Sequence, residues 1–255
     1  MAFDYAKHAG AGTENIDKSV LGMPLIGIIQ KGSPQFDETH KNHNQKRIDG
    51  CKPGDLFFAP TNSVLTRPLE AVVTGTTTLY TEWRPKSQGG GYVGSRPLTV
   101  TSERGYRRGA AGTKEEYKEY IGDNELIYTI YMSLRFRTGT KWENGIISFT
   151  STQLKKGRAW LKQLTTLVIP GTDIQAPLFA GLWTITTIAE KNDEGGWFGY
   201  EIKLGRVLDG TKDETVLMDC SAAFQDMQAK LPSPKAAAAI AEQATTVSAD
   251  GDDVF

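Results

Sequence analysis

The sequence predicts a mostly β domain: a five-stranded barrel with one helix between the third and fourth strands, extra strands ahead of the first, and a polar, acidic tail behind the body. Three observations carry this expectation. Segment 125–137 (ELIYTIYMSLRFR) sets Leu126, Tyr128, Ile130, Met132, Leu134 and Phe136 on one face and Ile127, Thr129, Tyr131, Ser133, Arg135 and Arg137 on the other, the period-two pattern of a strand with one core face and one wet face. The other apolar stretches are mostly short, rich in β-branched and aromatic residues and bounded by Gly or Pro, as strands are. Segment 153–166 instead places Leu154, Leu161 and Leu164 along one side of a helix, with Ser151 or Thr152 ahead of it as a cap.

Taken in order, residues 1–19 are polar and Gly-rich and read as a flexible arm ahead of a domain spanning 20–231. Strands are expected at 25–30, 55–59 and 71–74, with a polar loop at 31–47 that contains His40 and His43. The HxxH spacing of those two is read as part of a solvated loop rather than a metal site. Segment 76–84 (TTTLYTEWR) is a further strand. It leads into a long irregular stretch, 85–123, studded with glycines, in which only 114–121 looks helical. A loop of that length in a compact domain is usually functional or disordered. After 125–137, a turn at 138–144 leads to a strand at 145–150 and then to the helix, where Gly157 costs about 1 kcal/mol of propensity. Strands at 178–189 and 197–208 follow, then Asp209-Gly210 as a turn into 215–218, and an amphipathic piece at 222–231. Pro232 and Pro234 mark the boundary to a tail at 232–255.

Strand, strand, strand, helix, strand, strand is the order of the OB barrel, here using 71–84, 125–137, 145–150, the helix, 178–189 and 197–208. The fold expected is therefore an OB-fold-like five-stranded barrel, with another β-barrel or a sandwich carrying one helix as the alternative. OB folds bind oligonucleotides on strands two and three and on the loops after strands one and four. Those loops are 85–123 and 190–196 here.

The first loop is strongly basic. It carries Arg84, Lys86, Arg96, Arg104, Arg107, Arg108 and Lys114 against Glu103 up to that point, with Tyr92 and Tyr106 interleaved. Cations neutralise phosphates and release counterions, while aromatic rings stack on any base. A solvated loop that happens to be basic is the plainer alternative. The wet face of 125–137 offers Tyr131, Arg135 and Arg137, continuing into Lys141 and Trp142 at the turn, and is expected to adjoin the loop. Trp197 is expected to be presented beside the second loop, with Phe198 and Tyr200 inward. Trp183 is read as core and Trp83 as ambiguous, and Lys155, Lys156 and Arg158 as the solvated side of the helix.

The chain has a net charge of −1, but the charge is unevenly placed. Beyond Lys230 lie Glu242, Asp250, Asp252 and Asp253 against Lys235 alone. Subtracting that one base and those four acids from 29 and 30 leaves the body at +2. Acidic blocks of this kind are usually interaction tails. The end itself, SADGDDVF, sets Asp250, Asp252 and Asp253 ahead of a terminal Phe255. It resembles the tails of bacterial and T7-type phage single-stranded-DNA-binding proteins. That resemblance covers the terminal eight residues and the architecture from about 70 to 208. It implies a phage-encoded protein that binds single-stranded DNA and recruits polymerase or primase-helicase through Asp250, Asp252, Asp253 and Phe255, with the tail competing for the protein's own groove. The T4-type proteins hold a structural zinc, and the Cys/His cluster that such a site needs is missing from this sequence.

Catalysis is not expected. The chain has no GxxxxGK[ST], GxSxG or HExxH, and its three histidines all fall within the first 43 residues. Glu115, Glu116 and Glu119 read as a charged helix face. No cofactor is expected, and Cys51 and Cys220 read as free thiols. No apolar run approaches the roughly 20 residues of a membrane helix, and no signal pattern opens the chain, so a cytoplasmic protein without a membrane partner is expected. The functional expectation is sequence-independent single-stranded DNA binding in replication, recombination and repair. A homo-oligomer is compatible with it. The alternatives are a strand-annealing or recombination-mediator protein and a non-enzymatic structural virion protein.

Overall fold

In a computed structural model, residues 24–113, 116–193 and 195–230 are described; the expected arm at 1–19 and tail at 232–255 lie outside them. The chain begins with β1 (Ile26–Ile28), the short α1 (His43–Lys46), β2 (Leu56–Phe58) and β3 (Ser63–Val64), where β1, β2 and β3 form a small antiparallel sheet. Next come β4 (Leu69–Trp83), β5 (Tyr92–Arg96), β6 (Tyr106–Arg108), β7 (Glu119–Ile121), β8 (Asn124–Thr138) and β9 (Lys141–Phe149). Helix α2 (Leu154–Thr166), β10 (Gly181–Asn192), β11 (Gly195–Val207) and α3 (Glu214–Lys230) complete it.

The five expected strands are present in the expected order. The sheet runs β11-β10-β4-β8, with β9 on the far side of β8. In OB terms this is 5-4-1-2-3, curled into a half-barrel. The stretches at 71–74 and 76–84 are one strand, bent where the register with β8 shifts between Val73 and Gly75. Such a bulge inserts one extra residue and increases the local twist. The turn expected over 138–144 shrinks to Gly139-Thr140 between paired Thr138 and Lys141. Residues 178–180 form a 3-10 turn, so β10 starts at Gly181, and 215–218 is the first turn of α3 rather than a separate piece.

The concave face carries the core. Ala71 and Val73 of β4, Ile130, Met132, Leu134 and Phe136 of β8, Ile147 and Phe149 of β9, and Trp183 and Ile185 of β10 are all buried there. Helix α2 plugs this face with Trp160 and Leu164, and the Trp160 and Trp183 rings meet edge to face at 5.7 Å. Gly157 lets the helix approach: a Cβ there would sit 2.8 Å from the Phe149 ring. The convex face is covered at one end by α3. Cys220 packs there with Val72 and Leu208, flanked by Trp142, Val216 and Leu217. Cys51 and Cys220 are both buried and free.

In a closed OB barrel strands three and five meet; here β9 and β11 do not pair. The N-terminal segment fills the gap. Ile146 donates its amide N–H to the Pro24 carbonyl at 2.8 Å, and the Tyr200 hydroxyl donates to the Ile26 carbonyl at 2.9 Å. The Gln30 side chain acts as a one-residue strand: its Oε1 accepts from Phe198 N–H and its Nε2 donates to Phe198 O, each at 2.8 Å. Gln153 Oε1 accepts from Tyr200 N–H one step along. These amides satisfy edge groups that a missing strand would otherwise have paired.

Residues 85–123 are not the irregular loop expected. β5 pairs with the second half of β4, and β7 and β6 extend the sheet from the first half of β8. The result is a wing continuous with the barrel. Its small core of Tyr80, Val100 and Leu126 is flanked by Tyr106, Ile121 and Tyr128. The helix expected at 114–121 is absent among the described residues: 116–118 are turn and extended chain, and Glu119–Ile121 is strand. Strand pairing with β6 and β8 outweighs the helical propensity of a short charged run.

Two outcomes follow for stability. Gly157→Ala normally favours a helix, but here the added methyl meets Phe149, so thermal unfolding should show a loss of roughly 1–3 kcal/mol instead of a gain. At the start of α3, the Arg206 guanidinium makes a bidentate pair with Asp213 at 2.5 and 2.7 Å and holds its carboxyl down to about 2. A lowered folded-state value stabilises above the unfolded carboxylate value of about 4, and that contribution disappears as pH falls through about 2. Asp213→Asn should therefore be less stable than wild type at neutral pH, and acid titrations should show the gap closing between pH 4 and pH 2.

Candidate nucleic-acid interface

The wing sorts the expected cations into two groups. Arg96 is committed to structure: its Nε donates to Glu82 Oε2 at 2.5 Å and its Nη1 to Glu103 at 3.1 Å. Burial pushes the Glu82 carboxyl up, but hydrogen bonds from Arg96 and Asn124 outweigh it and hold it below its ordinary value. Tyr106 is likewise internal, half-buried with its hydroxyl donating to Glu119 at 2.7 Å. Arg84, Lys86, Arg104, Arg107 and Arg108 are all exposed. Arg84 and Lys86 lie at the β4–β5 end and Arg104, Arg107 and Arg108 at the β6 edge. Arg108 reaches toward the Tyr106 hydroxyl and Glu119, 3.3 and 3.6 Å away.

Strand register brings aromatic groups into line between these cations. Trp83 lies opposite both Tyr92 on β5 and Glu125 on β8; Glu125 lies opposite Tyr120 on β7, and Tyr120 opposite Arg107 on β6. Directly opposite residues share a face, so Tyr92, Trp83, Glu125, Tyr120 and Arg107 form one row across the convex side. At about 4.8 Å per strand the row spans roughly 19 Å. The Trp83 and Tyr92 rings meet edge to face at 5.9 Å and remain 39% and 54% exposed. The Arg107 guanidinium lies over the Tyr120 ring at 4.1 Å, and Lys118 stands 3.9 Å from Glu125. Tyr117 projects from the turn before β7, 91% exposed.

The second expected patch is not part of this surface. Arg135, Arg137, Lys141 and Trp142 sit at the opposite end of the β8–β9 hairpin, because β8 reaches the wing with its first residues and this patch with its last. Arg135 is half-buried, bonded to Asn144 and 3.8 Å from Asp219 of α3. Arg137 pairs with Glu70 at 3.3 Å. Trp142 is half-buried against the α3 cluster, and Lys141 is exposed at the turn. Tyr131 lies midway on the convex face, its hydroxyl 3.1 Å from Thr81 Oγ1.

Trp197 is not presented either. It is half-buried and donates from Nε1 to Glu190 at 2.9 Å. Burial raises the Glu190 carboxyl, but bonds from Lys156, Trp197 and Gln153 hold it below its ordinary value. Lys156 therefore belongs to this network, while Lys155 and Arg158 are exposed on α2 as expected. Tyr200 is buried and Phe198 half-buried. Asp250, Asp252, Asp253 and Phe255 lie outside the described residues.

Trp83 is the member of the row that sequence reasoning left undecided. Its signal is the run Thr77, Leu79, Thr81, Trp83, alternate residues on the convex side of β4. Among the described residues no group of three or more His, Cys, Asp or Glu could hold a metal ion, and no helix is long and apolar enough to cross a membrane.

The family model described as Pam3 phage gp34-like protein matches residues 1–229. No curated protein and no solved structure matches the chain.

The division between structural and available cations has a direct check. Arg96→Ala leaves Glu82, whose side chain is 5% exposed, with Asn124 as its remaining hydrogen-bonding side chain, and should cost roughly 1–3 kcal/mol in denaturant unfolding. Arg104→Ala should change stability by less than about 0.5 kcal/mol.

Proposed function

We propose that this chain, which belongs to the Pam3 phage gp34-like protein family, binds single-stranded DNA without reading its sequence and catalyses no reaction of its own. The observation that supports this most is the wing: an exposed Trp83–Tyr92 pair on one face, with Arg84 and Lys86 on one side and Arg104, Arg107 and Arg108 on the other. Exposed rings accept unpaired bases of any identity, and cations on both flanks track a phosphate backbone. Duplex bases are stacked and closed to such rings. The convex face between wing and α3 carries Thr77, Leu79, Ile127, Tyr131, Ser133, Ile146 and Ser148, so phosphate contacts fall to the wing. In a phage, such binding protects single strands during replication, recombination and repair, and the acidic tail ending in Phe255 recruits polymerase or primase-helicase.

The test is a titration of single- and double-stranded oligonucleotides at several salt concentrations. Single strands should bind tightly and duplex weakly. The slope of log affinity against log salt should be about −3.5 for about five phosphate contacts at roughly −0.7 each. Arg104→Ala, Arg107→Ala and Arg108→Ala together should flatten that slope by about 2. Trp83→Ala and Tyr92→Ala should each cost about 1–3 kcal/mol with the slope nearly unchanged. Equal affinity for duplex, or a flat salt response, overturns the reading.

A further inference from the structure

We propose that the hairpin following α2 seats in the barrel-mouth cleft of a second copy of this chain and joins copies head to tail. The contact does not depend on strand binding by the wing.

The knob is residues 167–176, between α2 and β10. Ala176 N–H donates to Leu167 O at 2.8 Å and Ile169 N–H to Ile174 O at 2.9 Å, with Val168 opposite Gln175. Thr172 closes the tip, its N–H and hydroxyl both donating to Ile169 O, and Gly171 there has a φ of +77°. Gln175 Nε2 ties the base to Thr165 O at 3.0 Å. This braced hairpin nevertheless leaves Val168, Ile169 and Ile174 49%, 37% and 62% exposed. Ile169 and Ile174 lie opposite one another and so share a face. Apolar side chains gathered on a surface turn mark an interaction site, and a tip that is already ordered loses little freedom on docking.

The socket is the cleft between the N-terminal module and the barrel mouth. Its volume of about 610 Å3 admits a compact group of atoms such as a turn. Its walls include Leu25, Ile28, Phe57 and Phe198, its lining holds no carboxylate, and Lys46 is its one charged residue. The knob is complementary: Asp173 is the one charged residue of 167–176. Both are exposed, and among the described residues neither has an ion-pair partner. With the hairpin seated, the branched side chains meet apolar walls and Asp173 meets Lys46, with no carboxylate in the lining to repel it.

The fold keeps a chain from filling its own cleft. Gln153 lines the cleft just ahead of α2, whereas the knob leaves the other end of that helix. Thirteen helical residues at about 1.5 Å each set the two roughly 20 Å apart. Knob and socket are different surfaces, so the contact is heterologous and propagates from copy to copy instead of stopping at a symmetric pair.

Sedimentation velocity of the full-length protein without DNA, over a wide concentration range, is the test. The average mass of the wild type should rise with concentration and pass beyond that of a dimer. Ile174→Asp and Lys46→Asp alter exposed residues, one on the knob and one at the socket, and each should weaken association at least about tenfold. Mixed together, the two variants should form a one-to-one dimer and go no further, because the first keeps an intact socket and the second an intact knob. Asp173→Lys should also weaken association, and Lys46→Asp added to it in the same chain should restore it by exchanging the charges. Trp83→Ala should associate like wild type, so failure of the wing as a strand-binding surface and failure of this contact are read separately. A wild type that stays monomeric throughout, or that stops at a dimer, overturns the proposal. Association that survives Ile174→Asp overturns it too, and its loss on removal of 232–255 would then seat the acidic tail in the cleft.

Discussion

The long antiparallel pairing of β4 with β8 is the constraint on which the rest of the molecule depends. It runs from Ala71 opposite Phe136 to Trp83 opposite Glu125, farther than either the barrel or the wing requires alone. One half is flanked by β10 and β9 and closes over α2; the other is flanked by β5 and β7 and carries the exposed Trp83–Tyr92 pair. Because side chains alternate faces, a slip of one residue would exchange core and surface along the whole ribbon. The bulge between Val73 and Gly75 makes that exchange once, on purpose of geometry rather than by error. Odd-numbered Ala71 and Val73 face the core before it, and even-numbered Tyr80 does so after it. The same shift sends Trp83 to the convex face beside Tyr92.

Electrostatics in the wing follow from this placement. Glu82 falls on the mini-core side, so it needs Arg96 and Asn124, and Arg96 is thereby withdrawn from any ligand. Among the described residues Arg84, Lys86, Arg104 and Arg107 have no such buried carboxylate to serve and stay at the surface, while Arg108 lies 3.6 Å from the largely buried Glu119. At the other end of β8, α3 supplies Asp219 beside Arg135, and Glu70 on β4 takes Arg137. Proximity in sequence to an aromatic residue therefore says little about which arginines are paired; a carboxylate brought alongside by a neighbouring element decides it.

The mouth of the barrel shows a different economy. Glutamine amides and a tyrosine hydroxyl, rather than a strand, join the edge of β11 away from β10 to the N-terminal segment and to the start of α2. Arg67 reinforces the junction, bonding Gly54 O, Asp55 and Thr187. Side-chain closure satisfies the edge without filling the space a strand would occupy, and that space is the cleft lined by Gln35, Phe57 and Phe198.

Local pattern by itself determined the β character, the strand order, the position of α2 and the core face of 125–137, because period-two alternation and helical spacing are recorded in a few adjacent residues. It also located the basic glycine-rich stretch and the rings within it. Only the tertiary structure decided that 85–123 is a folded wing, that 119–121 is strand, that Arg96, Tyr106, Arg135, Trp142 and Trp197 are engaged within the fold, and that Arg137 pairs with Glu70 at its surface. Those outcomes rest on pairings between elements that no single segment records: β8 and β6 for β7, α3 for Trp142, and Glu190 across the β10–β11 hairpin for Trp197. The parity change at Thr74 was equally hidden, since a bulge alters which face every later residue of β4 occupies while leaving its composition untouched. Alternation is a property of one strand, whereas register and the pairing of buried charge belong to two, and only folding brings the second one to its place.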